Sequence, residues 1–552
     1  MPNRRDVLTA LLAGLSTAMA PRRLSARPHA GSGTDADLWL NRLTFGANDA
    51  ARAEFAARGP KDWLDHQLAL PATDSALDAR LRASRLRIAH DAGQDASGAW
   101  PARDELRPLT ALWSPPEAAL PLVDWSRPMA YAERIRPAEE VIAASLIRAV
   151  HAPAQLREVM TQFWHDHFNV HARKDEYVAA FFPAYDTGLR THALGRFRDL
   201  LGHVATSPSM LVYLTNDESR ASPANENFAR ELLELHTLGA AAYAHIPDMN
   251  GPRTADGLAL HYSDNDVWEV ARCFTGWTLG DGRWVADGLT TPRTGQMAYV
   301  EAWHDPYQKR ILGRDFPPHG APMADGEAVL DLLASHPATA RHVCEKIARR
   351  LLADDPDPGL IDRLAAVFLA KAQAADQIAQ VIRALVADPA FSAAPAKLRR
   401  PFEFLAALLR ATGTTVAAAD LGWAQELARA GWRQHDFPPP NGHPDRAQDW
   451  SAGVVMLRLA EMALHAHEPW MGWVSTPLSG LMPQGPLSVV EMADLWHHRL
   501  TGRSVPDPAV LAEALRGIGI DPGWQPEADE DRTAISAGLV AAAALTPAFL
   551  FR

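Results

Sequence analysis

Side chains able to do chemistry crowd into three clusters in the middle of the chain. The first reads Phe163-Trp164-His165-Asp166-His167-Phe168-Asn169-Val170-His171 and sets three imidazoles among aromatic neighbours. At about 100° per helical residue, His167 and His171 share a face and could reach one metal ion, while His165 points elsewhere. A polar helix end with stacked aromatics accounts for the same residues without a metal. The second cluster runs from Asn225 to Gly239 and holds Arg230, Glu231, Glu234 and His236. Glu226, Arg230 and Glu234 recur every four residues, the spacing of ion pairs along one helix. Carboxylates and an imidazole among apolar neighbours equally suit Zn, Fe or Mn. No Glu stands three residues before His236, which disfavours a ferritin-like di-iron site. The third cluster, Tyr262 to Trp277, puts Asp266, Glu269 and Cys273 on one face, with Arg272 three residues beyond Glu269. Ser263 or Asp264 can cap this helix, so capping competes with a ligand role for its acids.

A fourth segment, Trp303-His304-Asp305-Pro306-Tyr307-Gln308-Lys309, offers His304 on a loop, where it could meet a substrate or simply flank a turn. His336 stands at the entry to a helix, a capping position. The candidate set is therefore Arg230, Glu231, Glu234, His236, Asp266, Glu269 and His304 for catalysis, and His165, His167, Glu231 and His236 for a divalent metal. No glycine-rich phosphate loop, nucleophile elbow or His-Glu-x-x-His sequence is present. With no redox-cofactor motif visible either, metal-assisted hydrolysis ranks ahead of oxidation. The competing reading turns the same clusters into buried hydrogen-bond and ion-pair networks of a non-catalytic partner or scaffold for another exported protein.

Helices must position these groups. Leu, Ala, Arg and Glu recur every three to four residues over Glu139–Met160, Asn225–Leu238, Asp264–Phe274, Ala328–Leu352, Gly359–Ala387 and Leu398–Ala411, so the fold is expected to be mainly α. Two stretches break the period, 100–128, rich in Pro and Trp, and 280–322, whose mixed spacing allows one short β-hairpin. The expected organisation is a main helical body over 35–412 carrying those two insertions, and a C-terminal helical part of the same body over 413–552. Apolar residues make up 47% and charged residues 22%, an ordinary globular mix. A net charge of −12 leaves no dominant basic face for nucleic acid. Two cysteines, Cys273 and Cys344, give no disulfide framework.

The first thirty residues read as an address. Arg4-Arg5 precedes an apolar run from Val7 to Ala20 that ends Ala18-Met19-Ala20, the order of a twin-arginine export signal. The run is shorter than the roughly 20 apolar residues of a membrane span, and no other segment reaches that length without charge. A periplasmic or secreted protein that folds before export is expected.

In order along the chain, Leu43-Thr44-Phe45-Gly46, Phe163 to Phe168, Asn225 to Gly239, Asp266 to Trp277, His304-Asp305 to Gly313, His336-Pro337 and Pro440-Asn441-Gly442 resemble the bacterial domain-of-unknown-function 1800 family, DUF1800. Arg230-Glu231-Leu232-Leu233-Glu234-Leu235-His236-Thr237-Leu238-Gly239 is the most specific of these strings. The resemblance implies no assigned activity. It does imply export and a functional partner, a second exported protein encoded nearby. It also favours His165 and His167 over His171 as family-matched candidates. A single site would bring His165 or His167, the Glu231 cluster, and Asp266 or Glu269 together. Trp164, Phe168, Trp268 and Trp277 would wall that site, with the 100–128 or His304 loop over its mouth.

Overall fold

A computed structural model describes residues 35–246, 251–417, 420–468, 476 and 478–552. The Arg4-Arg5 segment lies outside the described residues. Helix dominates, and two of the long periodic windows resolve into pairs of helices broken where proline intervenes, while the Gly359–Ala387 window divides into Pro358–Ala370 and Gln377–Ala387 without one. Thus α1 (Arg136–His151) and α2 (Gln155–His167) are separated at Pro153, because an X-Pro bond pushes the preceding residue out of the helical region. α3 (Glu176–His192) follows, with Asp175 accepting from the Val178 amide as its N-cap. α4 (Asp264–Cys273) opens on a capping box formed by Ser263 and Asp266. α5 (Ala324–Ala334) and α6 (Pro337–Leu351) are split at Ser335-His336, where the His336 side chain accepts from the Ala338 amide and Pro337 takes the first helical position. α7 (Pro401–Ala411) is buried along its whole length.

The expected single helix over Asn225–Leu238 is not continuous. An α-turn over Asn227–Glu231 passes into a π-helical turn over Leu232–His236, and Gly239 follows at φ +88°. A side chain at Gly239 would collide with the His342 ring. Asn225 Oδ1 accepts from the Asn227 amide at the start of the turn, and the extra residue per π turn shifts His236 into the core.

Strands occur only as two-stranded antiparallel pairs, five of them among the described residues against the one expected. β1 (Arg85–His90) pairs with β2 (Arg103–Pro108), so the 100–128 stretch begins as a strand before two 3₁₀ turns, Thr110–Trp113 and Pro116–Val123. β3 (Trp277–Asp281) pairs with β4 (Arg293–Tyr299), and β5 (Lys309–Ile311) with β6 (Arg314–Phe316). The remaining two hairpins are Gly93–Asp95 with Gly98–Trp100 and Trp284–Ala286 with Leu289–Thr290.

One contiguous hydrophobic cluster runs from Leu40 to Phe549. The C-terminal residue is stitched into it: Arg552 exchanges both backbone hydrogen bonds with Lys397 and its guanidinium meets Glu403 on α7. Cys273 and Cys344 are both buried and unbonded to each other. No helix among the described residues is long and apolar enough to cross a membrane.

Candidate functional site

The end of α2 is a junction. Three successive side chains leave it in three directions, because neighbouring positions on a helix diverge by about 100°. His165 turns to α3, where its Nε2 lies 3.0 Å from Asp186, a carboxylate also bound by Arg148 and Arg190. Burial alone would raise Asp186, but Arg190 and Arg148 hold it well below the usual carboxylate range. The His165 ring also packs 4.1 Å from that of His435.

Asp166 turns to the loop Trp432–Asp445. Its carboxylate accepts from Arg400 at 2.9 Å and from His443 Nδ1 at 3.1 Å, and these partners keep it ionised despite its burial. His443 Nε2 accepts from the Arg433 amide, which fixes the tautomer, and its ring stacks on Trp432 at 3.9 Å. Gly442 sits at φ +70°, and a Cβ there would fall 2.0 Å from the Asp166 carbonyl oxygen. Only glycine lets the two segments touch. Beyond the helix, Asn169 donates to the carbonyls of Phe437 and Pro439, while His171 and Arg173 pair with Asp436. The histidine-rich string is thus the dock for the Trp432–Asp445 loop.

His167 turns inward. Its Nε2 bonds the His236 carbonyl oxygen at 3.1 Å, and the rings of His236 and His342 lie 6.3 and 5.9 Å away, centroid to centroid. Burial, with Lys346 and His342 nearby, pushes His236 down to about 3, and burial with Lys346 takes His342 to about 4. All three imidazoles are therefore neutral. His167 and His342 each donate Nε2–H to a backbone carbonyl, His167 Nδ1 and both His236 ring nitrogens are buried without a hydrogen-bond partner, and no three His, Cys, Asp or Glu side chains converge as ligands among the described residues.

Between α2, α6, the start of α7 and the Asn441–Asp449 segment lies a cavity of about 260 Å³. Its wall is cationic in an acidic protein: Lys346, Arg349, Arg350, Arg400 and Arg446 face Asp166, Asp445 and Asp449. Arg400 Nη2 is buried with no hydrogen-bond partner, and Lys346 has no acceptor among the described residues. Burial, with Arg349 adding to it, lowers the Lys346 ammonium to about 8.

The other candidates separate into two groups. Glu231 and Glu234 are half-buried, and neither pairs with another described side chain. Burial and then Glu234 raise the Glu231 carboxyl. Arg230 instead pairs with Glu226 and Asp264. Asp266, Glu269 and His304 belong to a network of their own. Asp266 accepts from Ser263 and the Leu312 amide, and Glu269 pairs with Arg272 and accepts from the Arg310 amide. His304 meets Thr275 and Asp325. These contacts tie α4 to the β5–β6 hairpin and do not approach His167. Trp268 is largely exposed, and Trp277 packs against Phe274, so neither joins Trp164 and Phe168 around one cavity. The 110–122 turns cover a different, mostly apolar cavity of about 430 Å³ over α1 and α3.

A family model described as a protein of unknown function, DUF1800, matches residues 38–551. The chain belongs to this family. No curated protein and no solved structure matches it. The DUF1800 match spans both sides of the pocket, the α2 string and the Trp432–Asp445 loop. Sequence reading missed Lys346, Arg349, Arg350, Arg400 and His443. Their signal was present on α6, where His342, Lys346 and Arg350 recur every four residues beside Val343 and Ile347, charges on a helix face that is otherwise apolar.

Proposed function

We propose that this DUF1800 protein is an exported enzyme that binds a small anionic substrate in the cavity between α2, α6 and the Trp432–Asp445 loop. The observation that carries the reading is the cationic wall, where Arg400 Nη2 and Arg350 Nε are buried with no hydrogen-bond partner and the partly buried Lys346 amine has no acceptor among the described residues. A buried donor without a partner is costly, and an incoming carboxylate or phosphate supplies that partner. The chemistry is of the acid–base or hydrolytic class, with Lys346 the group best placed to exchange a proton near neutral pH. Asp166 and His443 orient Arg400 and the loop, since their own hydrogen bonds are already spent.

Titration with oxalate and with phosphate, read by calorimetry, tests the binding. Saturable binding is expected, weakened about tenfold by Arg349→Ala, the magnitude of one charge-assisted hydrogen bond. Absence of saturable binding by either anion overturns the reading. Export is tested by fractionating cells carrying Arg4→Lys with Arg5→Lys, which should retain the protein in the cytoplasm.

A further inference from the structure

The chain has six lysines, Lys61, Lys174, Lys309, Lys346, Lys371 and Lys397, and places almost every other cation on arginine. The distinction matters chemically, because a guanidinium stays charged whereas an amine can lose its proton and become a nucleophile. Lys61 and Lys371 are exposed. Lys174 donates to the Tyr213 carbonyl, Lys309 is saturated by Asp305, Tyr307 and Asp325, and Lys397 by Asp354 and Asp445. Lys346 alone is partly buried with no acceptor among the described residues, and it stands on the wall of a cavity.

We propose that Lys346 is the reacting group of this pocket, its amine condensing with the carbonyl carbon of a small 2-oxo acid whose carboxylate lies against Arg400. The inference rests on the anion-binding reading above and adds a covalent step to it. Arg400 supplies a free, buried Nη2 donor, its other nitrogens being held by Asp166 and Glu403. Such a fixed donor fits a carboxylate oxygen and would leave the adjacent carbonyl facing the amine. The cavity, about 260 Å³, suits a molecule of a few heavy atoms. Burial and the neighbouring Arg349 favour the neutral amine at mildly alkaline pH, against the opposing pull of Asp166 and Asp445. In the step itself, the amine lone pair attacks the carbonyl carbon and the carbonyl π pair moves to oxygen. Both amine protons pass to that oxygen, which leaves as water, and a C=N bond replaces C=O.

Incubating the full chain with glyoxylate and cyanoborohydride at pH 8 converts any imine into a stable secondary amine. Mass spectrometry of the digest then locates it among the six lysines. The expected result is an adduct on Lys346 at least tenfold ahead of Lys61 and Lys371, suppressed by excess oxalate. Lys346→Arg should abolish it while glyoxylate still shifts the melting temperature. Labelling of Lys61 and Lys371 as fast as Lys346 overturns the proposal. Saturable oxalate binding without a Lys346 adduct overturns the covalent step and leaves the anion-binding reading standing. The absence of both removes the two together.

Discussion

At the scale of single residues, two aspartates that look alike in sequence do different work. Asp166 joins two segments nearly three hundred positions apart by holding Arg400 and His443 in the interior. Asp166→Asn removes the charge and leaves Arg400 short of a counter-ion, so a loss of about 3 kcal/mol in urea unfolding is expected. Asp266 fastens a helix start and one loop amide, and Asp266→Ala should cost roughly 1–2 kcal/mol. Glu231 gives the discriminating experiment between enzyme and scaffold. Its carboxylate has no partner to lose among the described residues, so Glu231→Gln should leave the melting temperature unchanged or raise it, whereas a structural ion-pair role would lower it. His236→Ala does not discriminate, because the ring is fully buried and its removal leaves a cavity in either case.

At the scale of elements, the site depends on one loop docking against one helix end, and Gly442 is where they meet. Gly442→Ala adds a Cβ that collides with the Asp166 carbonyl at a backbone angle alanine resists, so the loop must lift. A destabilisation of at least about 2 kcal/mol and new protease cleavage between Trp432 and Asp445 are expected. Gly453→Ala, with open space around it, serves as the silent control. The same scale shows what could be read in advance. Helical periodicity located α1, α2, α4, α5, α6 and α7, because apolar spacing reports burial of one face directly, but it marked no window over the 17-residue α3. It ran α1 into α2 and α5 into α6, since Pro153 and Pro337 break the backbone without disturbing the hydrophobic pattern. Spacing also placed Glu226, Arg230 and Glu234 on one face, and the π turn at Leu232–His236 undid that for Glu234. The three sequence clusters were visible as chemistry, but which of them meet is set by tertiary packing: His167 and His236 come together, while Asp266 and Glu269 are spent on local caps and pairs.

At the scale of the whole molecule, burial of many imidazoles makes stability depend on pH. Burial lowers His236 to about 3, and His151, His203 and His342 each to about 4, in every case as the largest cause; His167 and His435 are also well below their ordinary value. Below 6.5 the unfolded chain takes up protons on these rings and the folded chain does not. Stability therefore rises with pH across this range: it is fully present above 6.5 and is lost as pH falls toward 4. The buried carboxylates Asp186 and Glu403 have folded values depressed by their arginines despite burial, so their contribution is present above the ordinary carboxylate range and disappears only at lower pH. Two successive losses are expected in urea midpoints measured from pH 8 to pH 3, the first between 6.5 and 4 from histidine and the second below it from the acids. His342→Gln preserves a donor toward the Leu235 carbonyl while removing one titrating ring, and should flatten the first loss by about one proton's worth of slope. A midpoint that stays level from pH 7 to pH 5 would show that these rings are protonated in the fold, and the neutral core around α2 and α6 would have to be abandoned.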